Sequence, residues 1–333
     1  MTSPIPVVID TDIGADPDDA LALILALASP EVDVRGVTIV SGDVGWRARI
    51  ATRLLGMAGR SDIPVFLGRG EPRQMSGAEG KGVLDRPYDG HEASIQTTPA
   101  VDWLLAESRR NSFHLVAIGP LTNVAAAIEE DREFAGRLLG LTVMGGLLDE
   151  RTMPIAWQRA IQERGASAWP DYNTTCDPAA ALTVARCGIP ITWVTLDVTM
   201  RAPLRAAMRE LLPQEHPLGA ALGRMIDTWH AAWFPSALPL PDDPSPVPAD
   251  AVAILHDPLA VAALLPGEWM HLQPTRLAYG IEDGVFRLRE HPDGSVGQLA
   301  AEVDGTGFEA FLLARIMRLI EQSSVSRSMD WRD

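Results

Sequence analysis

The chain has 333 residues, 47% hydrophobic and 22% charged, which is the composition of a folded protein with a large core rather than a disordered one. Its 28 basic and 44 acidic residues give a formal net charge of −16, a field that repels phosphate backbones and anionic lipid and argues against nucleic-acid or membrane-surface roles. Two cysteines, Cys176 and Cys187, are too few for a disulfide framework, and the opening MTSPIPVVID has neither a basic n-region nor a long apolar stretch, so a soluble cytoplasmic protein is expected.

In chain order, Pro6–Ile9 reads as a buried strand, followed by a polar loop and an apolar helix from about Asp18 to Ala28. Val34–Val40 is a second strand, and Trp46–Ala58 has helical spacing. Pro64–Leu67, Phe113–Ile118, Leu141–Met144 and Ile189–Leu196 continue the strands, with helices between most of them. Continuous apolar strands separated by helices predict an α/β fold: an open, mostly parallel central sheet with helices on both faces. The segment 68–98 is a long polar loop, and Pro239–Pro248, with five prolines in ten residues, is an irregular flap before a helix near His256. Arg276–Leu288 and Val296–Val303 read as meander strands, and Glu309–Ile320 as a closing amphipathic helix. One catalytic domain is expected over residues 1–322, with a frayed tail over 323–333. In such sheets ligands bind at the carboxyl ends of the strands, where Asp10-Thr11-Asp12, Ser41-Gly42-Asp43, Gly119-Pro120, Gly145-Gly146 and Leu196-Asp197 fall.

The sharpest feature is Asp10-Thr11-Asp12-Ile13-Gly14-Ala15-Asp16-Pro17-Asp18-Asp19. Clustered carboxylates after a strand and at a helix start repel one another unless neutralised, and a helix dipole helps each by only about 0.3–1 kcal/mol. A divalent cation is the larger remedy, and hard oxygen ligands select Ca²⁺ or Mg²⁺, with Ca²⁺ favoured by mixed carboxylate and carbonyl donors. A plain acidic helix cap would also account for Asp18 and Asp19. Capping likewise offers an ordinary explanation for Thr122 or Asn123, for Asp177 before Pro178, and for Asp257. His91, in the long loop, is a further polar candidate.

The ordered set of motifs resembles the inosine-uridine preferring nucleoside hydrolases. It runs from Asp10-Thr11-Asp12 with Gly14 and Asp18-Asp19-Ala20-Leu21, through Gly119-Pro120-Leu121-Thr122-Asn123, Met144-Gly145-Gly146 and Asp171-Tyr172-Asn173 with Cys176-Asp177-Pro178. Leu196-Asp197-Val198-Thr199 and His256-Asp257-Pro258-Leu259 complete it. The resemblance implies hydrolysis of the N-glycosidic bond of ribonucleosides by a Ca²⁺-dependent enzyme. Asp12, Asp19, Asp257 and the Thr122 backbone carbonyl would be the metal ligands. Asp12 would also be the general base on a water held by the ion, and His256 the acid at the leaving base. Asp18, Asp171 and Asn173 would hold the ribose hydroxyls, with Met144 packed near the sugar. Asp16, Asp43, His91, Tyr172, Trp229 and His230 are further candidate substrate contacts. At the helix start where His256 lies, a charged imidazole would need an acidic neighbour to hold its proton.

This sequence departs from the family's commoner pattern at four places, one being that the asparagine usual a few residues upstream of Asp171 has no match. The acidic loop is two residues longer, through Asp16 and Pro17, so that Asp16 is an alternative to Asp18; Asp43 stands where asparagine is usual, and Asp171 where glutamate is. The family also implies a homodimer or homotetramer, with the aromatic group Trp229, Trp233 and Phe234 beside the flap as a candidate cover; a monomeric mass by light scattering would contradict that. Two other readings compete. One is an inactive Ca²⁺- or ribose-binding member of the same fold. The other is a haloacid-dehalogenase-like phosphatase, whose motif Asp10-Thr11-Asp12 imitates. That chemistry needs a lysine, and the sole lysine, Lys81, lies in a glycine-rich loop.

Overall fold

Val7, Val8 and Ile9 are buried on both faces of their strand, which explains an apolar run without alternation and puts it inside a covered sheet. The computed structural model describes residues 3–70, 78–148, 153, 171–232 and 247–329, with backbone alone for 324–329. The first strand is β1 (Ile5–Thr11), followed by α1 (Asp18–Leu27), β2 (Val32–Ile39), α2 (Val44–Met57), β3 (Val65–Leu67) and β4 (Ile95–Gln96). Then come α3 (Ala100–Arg110), β5 (His114–Ala117), α4 (Thr122–Glu130), α5 (Phe134–Arg137) and β6 (Gly140–Met144). Past residue 170 follow α6 (Tyr172–Cys176), α7 (Pro178–Ala185), β7 (Ile191–Val194), α8 (Leu196–Thr199), β8 (Pro203–Arg205), α9 (Ala206–Glu210) and α10 (Pro217–Ala232). The last elements are β9 (Ala251–Ile254), α11 (His256–Ala262), β10 (Met270–Glu282), β11 (Val285–Glu290), β12 (Ser295–Val303) and α12 (Gly305–Met329).

Ten strands form one sheet in the order β11-β10-β12-β7-β6-β5-β1-β2-β3-β4, and β8 pairs with β9 in a small second sheet. From β7 to β4 every pairing is parallel, and β12 also joins β7 in parallel. Among the described residues, antiparallel pairing in the large sheet is confined to β10 with its neighbours β11 and β12, and the small β8–β9 pair is antiparallel too. The expected mostly parallel α/β sheet is present. The chain steps outward from β1 to β4, then returns to β5 on the other side of β1. That reversal opens a crevice at the carboxyl ends of β1 and β5, the place where such sheets bind ligands.

Helix α1 reads DDALALILAL and is buried over Asp18–Ala26, because it packs against α2, α11 and α12 as well as the sheet. A helix apolar all round belongs inside. Its two aspartates are carried in with it.

Three expectations are modified. Arg276–Leu288 is a hairpin rather than one strand, turned at Asp283-Gly284 with φ of 51° and 80°, the backbone that an Asp-Gly pair supplies most readily. The closing helix extends well past Ile320, to Met329, with no proline or internal glycine after Gly307 to stop it. The loop 68–98 contains β4, paired with β3. Residues 71–77, 330–333, Trp233, Phe234 and the flap as far as residue 246 lie outside the described residues. Among the described residues no helix is long and apolar enough to cross a membrane.

Candidate active site

The tips of β1 and β5 nearly touch. A Cβ at Gly119 would stand 2.8 Å from the Asp12 amide nitrogen and 3.0 Å from its Oδ1, so the glycine is what permits this approach. Beneath them lies a buried polar knot. Asp10 Oδ1 accepts from Thr38 Oγ1 at 2.5 Å and from Asn123 Nδ2 at 2.8 Å, while Asn123 also donates to the Ile39 carbonyl and accepts from the Arg69 amide. Burial pushes the Asp10 carboxyl up to about 7. Asp10 and Asn123 therefore tie the ends of β1, β2 and β3 together from below.

Asp18, Asp19 and Asp257 each offer one carboxylate oxygen within 4.8 Å of the others, and all three are buried. The first two open α1; the third lies in the first turn of α11, which packs on α1. Thr11 Oγ1 donates to Asp19 and accepts from the Ile13 amide, fixing the loop against the cluster. Asp18 Oδ1 accepts from the Asp19 amide at 3.0 Å, and Asp16 Oδ1 from the Asp18 amide at 3.3 Å. Burial first, then mutual repulsion among the carboxylates, holds Asp18, Asp19 and Asp257 well above the usual carboxylate range, and burial holds Asp16 at about 7. Buried like charges are tolerated when a cation neutralises them, and an all-oxygen donor set fits a hard divalent ion. Asp12, at the edge of this cluster, adds to the field on each of its members.

The other expected residues separate into two groups. Met144 ends β6, and the Asn173 amide nitrogen donates to the Met144 and Ile118 carbonyls, joining the tips of β5 and β6. Asp171 Oδ2 accepts from the Gly146 amide at 2.7 Å and from Thr174, while its Oδ1 is buried with no hydrogen-bond partner among the described residues. Tyr172 is half exposed and within the field of Asp12, and burial is the main cause that raises its phenol to about 12. His256 opens α11, with Nδ1 2.6 Å from Thr199 Oγ1, and burial brings its imidazole down to about 4. That hydroxyl is the ring's hydrogen-bond partner among the described residues, and the buried setting suits a neutral ring. Thr122 opens α4, its hydroxyl donating to Asp177, which also caps α7.

The remaining four expected residues lie on or beside other helices. Asp43 is exposed and caps α2 by accepting from the Trp46 amide at 2.9 Å. His91 is not gathered with the carboxylates: it lies exposed beside Gly56, near the opposite end of α2 from Asp43, and its carbonyl accepts from Ser61. Trp229 and His230 occupy the last turn of α10, with Trp229 packed on the core. Sequence reasoning missed Arg47, which ion-pairs with Asp12, and Thr199, the partner of His256. An arginine three residues before Ile50 and four before Ala51, both on the buried face of α2, was the available signal for the first.

A family model described as inosine-uridine preferring nucleoside hydrolase matches residues 7–309. Among curated proteins, the pyrimidine-specific ribonucleoside hydrolase RihA of Klebsiella pneumoniae is 32% identical over 280 residues, 79% of this chain and 80% of that one. RihA of Salmonella arizonae is 30% identical over 342 residues, covering 94% and 98%. Among solved structures, a purine-preferring ribonucleoside hydrolase from Gardnerella vaginalis aligns with a TM-score of 0.75 at 25% identity, over 95% of this chain and 99% of that one.

Proposed function

The chain belongs to the inosine-uridine preferring nucleoside hydrolase family and is a nucleoside N-ribohydrolase, and we propose that it works with Ca²⁺, using Asp12 as the general base. The observation that carries this reading is the buried carboxylate cluster at the carboxyl ends of the strands, with Asp12 at its edge. Asp12, Asp19, Asp257 and the Thr122 carbonyl would hold the ion. A divalent cation there supplies charge neutralisation, a grip on ribose hydroxyls and a more acidic attacking water.

The protein's own groups do the rest. Asp12 takes the proton from the attacking water. Asp18, Asn173 and Asp171 orient the ribose hydroxyls, and Met144 lies under the sugar. Glycosidic cleavage passes through an oxocarbenium-like state, so an anionic pocket lowers the barrier as positive charge develops on the ring. His256, neutral at rest and held by Thr199, meets the departing base; to act as the acid it takes up a proton from solvent with the substrate and passes it to the base nitrogen as the bond breaks.

The two RihA relatives are pyrimidine-specific and the Gardnerella enzyme is purine-preferring, so the test uses both kinds of base. Purified protein is assayed for reducing-sugar release from a panel of purine and pyrimidine ribonucleosides, with and without EDTA, and for metal content. Release that stops on chelation, returns with calcium and accompanies about one calcium per chain is expected. Undiminished release after exhaustive chelation, or stoichiometric zinc, contradicts the proposal.

A further inference from the structure

We infer that Arg47 is a positioning residue for Asp12, one that locks the carboxylate in place by bridging the loops after β1 and β2; the inference rests on the reading of Asp12 as the base. Arg47 lies in the first turn of α2 and is only 6% exposed. Each nitrogen of its guanidinium has a different task. Nε donates to the Ser41 carbonyl at 2.9 Å, at the tip of β2. Nη1 donates to the Ile13 carbonyl at 3.2 Å, inside the acidic loop. Nη2 stands 3.6 Å from Asp12 Oδ2.

Two features show that the surroundings are shaped to this arrangement. A Cβ at Gly14 would fall 2.5 Å from Nη1, so the residue two places after Asp12 leaves the space the guanidinium occupies. Ser41 has φ of 69°, a backbone that a serine holds only where its neighbours impose it, and its carbonyl is the one Nε grips. A buried cation engaged by two carbonyls from separate loops is costly to desolvate and ties those loops together. A planar fork can reach all three targets at once; a lysine ammonium is a single point and cannot.

A base that is misplaced by about 1 Å loses on the order of 10²-fold in turnover while substrate binding is largely kept. The experiment compares Arg47→Ala, Arg47→Lys, Gly14→Ala and Asp12→Asn at saturating calcium, following kcat and KM on a nitrophenyl riboside and thermal unfolding. Arg47→Ala should lose about 10²-fold in kcat with little change in KM, and millimolar guanidinium ion should restore much of that loss. Arg47→Lys should resemble Arg47→Ala, and Gly14→Ala should lose kcat with the arginine still present.

Normal kcat in Arg47→Ala or in Arg47→Lys overturns the inference, as does a loss in Arg47→Ala that guanidinium leaves untouched. Should Arg47→Ala fail to fold, Gly14→Ala decides, and normal turnover there overturns it. Asp12→Asn separates the two levels. If it keeps its kcat, the reading of Asp12 falls. If it is inactive while Arg47→Ala is normal, only the arginine's role does.

Discussion

His256 and Asp257 are adjacent in the chain and have different duties, which makes them separable by leaving group. A nucleobase anion leaves poorly and gains from a delivered proton, whereas nitrophenolate leaves without one. His256→Ala should therefore lose activity on natural nucleosides, by about 10²-fold or more, yet keep most of it on a nitrophenyl riboside. Asp257→Ala should lose both, because it opens the carboxylate cluster. Equal losses on the two substrates for His256→Ala would make the histidine structural. At this scale the sequence was legible wherever charge density spoke for itself: Asp12, Asp18 and Asp19 are conspicuous in one loop. It was illegible where a partner comes from elsewhere in the chain. Thr199 meets His256 across 57 positions, and Arg47 meets Ile13 across 34, contacts that no local pattern announces. The two-residue lengthening of the acidic loop has a local outcome: Asp16 Oδ1 accepts from the Asp18 amide.

Strand β5 begins with a histidine whose environment is set by the next strand. His114 Nε2 is 2.9 Å from Thr142 Oγ1 on β6, and a Cβ at Gly140 would stand 2.6 Å from its ring. Burial lowers the imidazole from 6.5 to about 4. Between those values the unfolded chain binds the proton and the folded chain does not, so this group's effect is absent above pH 6.5 and destabilising as pH falls toward 4. From pH 7 to pH 5 the cost is about 1–2 kcal/mol. Calcium-loaded His114→Gln should show a shallower fall in stability over that range by denaturant unfolding, and identical slopes would refute the assignment. Elements of this kind were readable from their apolar runs: β1, β2, β5, β6 and β7 fall where continuous Val, Ile and Leu predict them. The Asp283-Gly284 turn was readable too, from its residue pair, but was submerged in a run read as one strand. The paired strand β4 is only two residues long, and nothing local marks it out from the loop around it.

Over the whole molecule, the carboxylate cluster joins α1 to α11, so whatever ion it holds binds the folded chain and not the unfolded one. Free ligand at a hundredfold excess over Kd adds about 2.7 kcal/mol, which for a chain of this size is a rise in Tm of roughly 4 °C. Chelation should lower Tm by that order and calcium should restore it; a Tm indifferent to calcium would exclude a bound ion at this place. The parallel sheet was legible as a class from alternating strands and helices, but its strand order was not, because neighbours such as β12 and β7 are chosen by packing and not by any local residue. The same long-range closure has a bearing on biosynthesis. Asp257 is synthesised about 240 residues after the acidic loop, so at about 5–20 residues per second roughly 10–50 s pass before the third carboxylate exists. Through that interval the nascent chain has no complete cation site, and a fragment released early carries the repelling aspartates without the residue that completes it.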